Sequence, residues 1–102
     1  MFKRYRSIRV PYKKQGLIYF LCVNIKEMPP DVRNAVLNLC AELGGEDSKA
    51  LYEFITNESR NACGVAQKYF VNEKRLYRLR KEFYEEWHKR KLPVNAWDNG
   101  RE

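Results

Sequence analysis

The chain has 102 residues, 44% of them apolar and 14% aromatic, with 20 Lys and Arg against 13 Asp and Glu for a net charge of +7. That length suits one compact domain, and the aromatic content excludes the composition of a disordered chain. The longest apolar run, Leu17 to Val23, has seven residues against the roughly 20 a membrane span needs, so no membrane partner is expected and the basic excess points to a polyanion.

Charge is unevenly placed. Residues 1–16 carry six basic and no acidic side chains, residues 17–58 sum to −4, residues 59–92 to +6 and the last ten to −1. Two basic blocks therefore flank an acidic middle. The start, Met1-Phe2-Lys3-Arg4-Tyr5-Arg6, has the charge of a signal peptide but neither its long apolar core nor its cleavage site, so a cytoplasmic location is expected. Cys22, Cys40 and Cys63 are too widely spaced for a disulfide framework or a metal knuckle and read as reduced, mostly buried thiols.

In chain order, residues 1–14 form a basic arm with Lys3, Arg4, Arg6, Arg9, Lys13 and Lys14. Tyr5 to Val10 and Leu17 to Val23 have the propensity to pair as a hairpin. Leu17, Leu21, Cys22, Ile25 and Met28 also follow helical spacing after Pro11, and helix is the favoured reading. From Asp31 to Leu43 the apolar Val32, Ala35, Val36, Leu39, Cys40 and Leu43 make the stripe of an amphipathic helix, entered through Pro29-Pro30 and stopped by Gly44-Gly45. Asp47 or Ser48 caps a shorter helix through about Thr56 that buries Ala50, Leu51, Phe54 and Ile55. A further helix from about Ser59 to Phe70 turns Ala62, Cys63, Ala66, Tyr69 and Phe70 inward, weakened at Gly64. Asn72 then caps a long helix through about Lys91, ended by Pro93, with Leu76, Leu79, Phe83 and Trp87 as its core stripe. The tail, 93–102, is aperiodic, and only Trp97 gives it a reason to dock. The expected fold is all-α: a small bundle of about five helices with a C-terminal helix-turn-helix and a long last helix. It is read as one domain over 1–92, with the helix-turn-helix at about 59–90.

The segment Val65-Ala66-Gln67-Lys68-Tyr69-Phe70-Val71-Asn72-Glu73-Lys74-Arg75-Leu76-Tyr77-Arg78-Leu79-Arg80 carries the functional reading. Ala66 is small where two helices must cross closely, Val71 is apolar after the turn, Asn72 caps, and Leu76 and Leu79 anchor the second helix. Phe70 departs from the glycine common at such a turn. At about 100° per residue the core stripe of the second helix spans roughly 80°. Lys74, Arg78, Lys81 and Glu85 line the opposite side. Pairs Arg78–Glu82 and Lys81–Glu85 would make an ordinary solvated face, whereas Lys74, Arg75 and Arg78 crowd like charges that a phosphate backbone would relieve. In the functional reading Lys74, Arg75 and Arg78 meet base edges. Lys68, Asn72, Tyr77, Arg80 and Lys81 hold phosphates, and the arm residues Lys3, Arg4, Arg6 and Arg9 reach a neighbouring groove.

On Val71 to Tyr84 the chain resembles the helix-turn-helix of small phage- and conjugative-element-encoded proteins of Gram-positive bacteria, and more distantly the fourth region of sigma factors. The resemblance covers about residues 46 to 90 and implies DNA binding and transcriptional regulation in a mobile element. The lone His88 offers no partner set for a catalytic triad or a metal site, and no phosphate-loop motif occurs. No enzyme activity, cofactor or small-molecule substrate is expected. The expected partner is double-stranded DNA in a cytoplasmic, nucleoid-associated setting. A palindromic site would call for a homodimer, and regulation would bring the chain to RNA polymerase. The alternative is a helical protein–protein adaptor that binds RNA polymerase or another regulator without touching DNA, motivated by the acidic middle and the apolar Leu17 to Val23.

Overall fold

The computed structural model describes residues 8–57 and 61–92, and every regular element among them is helical. Helix α1 is Tyr12–Val23, followed by a 3-10 turn at Ile25–Glu27; α2 is Pro30–Gly44, followed by a second 3-10 turn at Gly45–Asp47. Helices α3 (Ser48–Thr56), α4 (Ala62–Tyr69) and α5 (Glu73–Lys89) complete the order. No described helix is long and apolar enough to cross a membrane. The hairpin alternative is not taken up by Leu17 to Val23, which lies in α1. Of its other arm, Tyr5 to Val10, the described Ile8 to Val10 form no strand and residues 5–7 lie outside the described residues, as do Ser59 and the tail with Trp97.

Pro11 opens α1 because its fixed φ of −54° suits the position before a helix and the ring sacrifices no hydrogen bond there. Gln15 is fully buried on this helix. Its Nε2 donates to the carbonyls of Val10 at 2.9 Å and Ile8 at 3.3 Å, so the incoming backbone is satisfied in the core rather than in water. The chain stops α2 with Gly45 at φ 56°, a left-handed geometry that glycine adopts without a Cβ clash. Asn61 caps α4 by accepting the Gly64 N–H at 2.7 Å, and Asn72 caps α5 by accepting the Lys74 N–H at 2.7 Å. Both supply an acceptor to a helix start that has none of its own.

Two helix ends make a left-handed stop without glycine. Phe70 (φ 57°) ends α4 and Lys91 (φ 53°) follows α5. In each case the next N–H reaches back five residues, Val71 to the Ala66 carbonyl at 3.0 Å and Leu92 to the Trp87 carbonyl at 3.1 Å. That is the bond pattern of a left-handed helix stop. Sequence reading carried α5 to about Lys91; the left-handed Lys91 ends it earlier, at Lys89.

Helix α2 packs on α3 and α5, α1 packs on α3 and α5, and α4 lies against α3 and α5. The larger hydrophobic cluster joins Ile18, Leu21 and Cys22 of α1 and Val32, Val36, Leu39 and Cys40 of α2 to Phe83, Tyr84 and Trp87 of α5. A smaller one gathers Ala50 and Phe54 of α3, Ala62, Val65 and Ala66 of α4, and Leu76 of α5. The inward stripe read from α5 is buried as expected, with Tyr84 added to it. On α4 the expectation fails at both edges. Cys63 is exposed, and Phe70, expected inward, is 96% exposed. The left-handed backbone at Phe70 turns its side chain out of the helical stripe to which it was assigned.

Candidate nucleic-acid interface

The α4–α5 junction spans Phe70, Val71 and Asn72. Val71 packs into the small cluster and Tyr69 beside it, so both sides of the turn are pinned while Phe70 stands out. The small residues Ala62 and Ala66 are buried at this junction, which lets α4 lie close against α5. Leu76 and Leu79, both buried, then fix the rotation of α5 about its axis. Opposite them, Lys74, Tyr77 and Arg78 are exposed and Lys81 is half-buried.

The cations predicted to face a polyanion divide into two sets. Arg75, expected at base edges, is turned back into the protein. Its Nε meets Asp47 Oδ2 at 2.6 Å and its Nη2 donates to the Gly44 carbonyl at 3.3 Å. It thereby supplies a donor and a positive charge at the end of α2, where helix carbonyls lack partners, and ties the first turn of α5 to the α2–α3 corner. Lys68, expected on phosphate, pairs with Glu53 Oε1 at 3.0 Å. Tyr69 donates its hydroxyl to the same oxygen at 2.8 Å, and that bond, with burial, raises the Tyr69 pKa because the phenol proton is the donor. Arg80 lies over the rings of Phe54 at 5.0 Å and Tyr77 at 5.2 Å, and those two rings meet edge to face at 5.8 Å. Its guanidinium is thus held in an aromatic bracket. Asn72 spends its Oδ1 on the α5 cap.

Lys74, Arg78 and Lys81 form the second set. None of them makes an ion pair with a described acid. The pairs Arg78–Glu82 and Lys81–Glu85 that would mark a merely solvated face are not formed. Glu85 instead accepts the backbone N–H of Arg9 at 2.9 Å, which anchors the described end of the basic arm beside α5. Lys3, Arg4 and Arg6 lie outside the described residues. Farther along, Arg90 is held by Glu42 and Glu86. The first of these contacts keeps the Glu42 carboxyl below its ordinary pKa and, with Glu86, raises that of Arg90. Between them, the exposed or half-buried Lys74, Arg78 and Lys81 make the leading half of α5 cationic, and Lys89 is exposed at its far end.

Sequence reading missed Phe70 as an outward group. The signal was present in its position one residue past the end of α4, where a left-handed stop is required. The stretch Leu17 to Val23, which motivates the adaptor alternative, is partly spent on the fold: Ile18, Leu21 and Cys22 are buried, Leu17, Tyr19 and Val23 are half-buried, and Phe20 is exposed. Comparison with known proteins finds no family model, curated protein or solved structure that matches this chain.

Proposed function

We propose that the chain is a helix-turn-helix protein that binds double-stranded DNA and regulates transcription in a phage or mobile element. It reads the major groove with the leading half of α5, within the cytoplasm, and acts without catalysis or a cofactor. One observation carries the reading: α5 is locked by Leu76 and Leu79 so that Lys74, Arg78 and Lys81 project from one face with no described acid to neutralise them. A surface adapted only for solubility would be expected to place its own carboxylates opposite such cations. A duplex supplies phosphates for Lys74 and Lys81 and guanine edges for Arg78, whose fork suits bidentate contact. The tight α4–α5 turn supports the same reading, because a recognition helix must project past its predecessor to enter a groove. Arg75, Lys68 and Arg80 hold that helix in place through their own contacts. Arg9 sits where the arm would meet flanking phosphates.

The test is fluorescence anisotropy of the full chain on mixed-sequence duplex DNA across a salt series. Binding should weaken as salt rises, and Lys74→Ala with Arg78→Ala should flatten the slope of log K against log salt by about 1, for the phosphate contact of Lys74, and weaken binding about tenfold or more. Affinity indifferent both to salt and to that double substitution overturns the proposal.

A further inference from the structure

Phe70 combines two features that oppose folding. Its backbone is left-handed at φ 57° and ψ 44°, where a Cβ is disfavoured and glycine is not. Phe70 is 96% exposed, while the other exposed aromatic at this end of the molecule, Tyr77, is 47% exposed. The helix stop explains the backbone, since the Val71 N–H must reach the Ala66 carbonyl; it does not explain an aromatic side chain. A strained residue that the surrounding structure enforces, carrying a large apolar group into solvent, is the kind of outlier that clusters at contact sites.

The surroundings of the ring select its partner. Val71 is packed away, and the outward groups on the adjoining turns of α5 are Glu73, Lys74, Tyr77, Arg78 and Lys81. A protein-docking surface would ordinarily carry further apolar neighbours around such an anchor. Here the half-exposed ring of Tyr77 is the one apolar companion on those turns, and Lys74, Arg78 and Lys81 outnumber Glu73; a duplex offers complements to both, phosphates for the charges, and deoxyribose faces or thymine methyl groups for the Phe70 ring. We infer that Phe70 is a DNA-contacting residue that seats its ring on the apolar surface at the edge of the groove entered by α5. This inference rests on the DNA-binding reading above and adds to it a contact that carries no charge.

The experiment uses the full chain and the duplex most enriched by it from a random-sequence library. Phe70→Gly should raise the melting temperature by several degrees, because the left-handed position is relieved, yet weaken DNA binding about tenfold at every salt concentration. The salt slope should stay that of the unsubstituted protein, since no phosphate contact is lost. Phe70→Asn, which also tolerates this backbone, should lose the same affinity and so separates the ring from the strain. If the unsubstituted chain binds duplex DNA and both variants bind equally well, this inference falls alone, and a protein partner lost by the same variants would reassign the ring. If the unsubstituted chain enriches no duplex, the parent proposal falls with it.

Discussion

Helix α5 passes through two hydrophobic clusters of different make. Its trailing half sits in the larger one, where Phe83 and Trp87 stack at 5.4 Å among Ile18, Leu21, Val36 and Leu51. Its leading half contributes Leu76 to the smaller one, in which Ala50, Ala62 and Ala66 provide half of the buried residues. Large side chains bury more apolar area and anchor the rod; small ones bury less but let α4 approach closely enough to leave the first turns of α5 standing clear. Stability and presentation are thus assigned to opposite ends of one helix.

Truncation within each cluster tests this division most severely. Trp87→Ala should cost about 3–5 kcal/mol in urea unfolding, and Leu76→Ala about 2–3 kcal/mol. In native-state hydrogen exchange, Leu76→Ala should accelerate α4 amides ahead of those in α1. Equal acceleration in both helices would show that the two clusters open as one unit and erase the distinction.

Rising pH acts first on the larger cluster. Burial pushes the Cys40 thiol from 9.0 to about 12, and burial, then charge on Cys40, raises Cys22 as well. The folded chain therefore keeps protons that the unfolded chain releases. The stabilisation is fully present below pH 9 and is lost as pH climbs toward 12, at about 1.4 kcal/mol per pH unit for each protected thiol. Denaturant titrations at pH 8, 9 and 10 should show this decline, and Cys22→Ala with Cys40→Ala should flatten it. An unchanged decline in that variant would place its origin elsewhere.

The smallest effect concerns the strut between the two regions. Because the Arg75–Asp47 pair is partly exposed, with side chains 34% and 22% accessible, a double-mutant cycle with alanine should return a coupling of about 0.5–1 kcal/mol. Arg75→Ala should also weaken DNA binding less than Arg78→Ala does. The reverse order would return Arg75 to the base-reading set and sharpen the map of the interface in the other direction.

Much of the scaffold was legible because helices announce themselves locally. The stripe from Val32 to Leu43 and the Gly44-Gly45 stop correspond to α2 at Pro30–Gly44, and the four residues assigned inward on α3 are the four buried there. Phe70 was misread because the helical period was extended one residue past a position whose backbone had already left it. The cations of α5 were harder. Helical spacing puts Arg78 opposite the core stripe and Arg75 nearer its flank, but nothing within a few residues shows that Arg75 has an acid to meet. Yet Arg75 is tied to Asp47 and Arg78 is exposed.

By itself the sequence determined where helices run, which faces turn inward and where most of them stop, since these depend on groups within about four residues of one another. Tertiary structure alone decided which positive charges are spent on the fold. Asp47 lies 28 positions from Arg75, and Glu53 lies 15 from Lys68. Those partners meet only after α3, α4 and α5 have packed, because ion pairing depends on distance in space and is blind to distance along the chain.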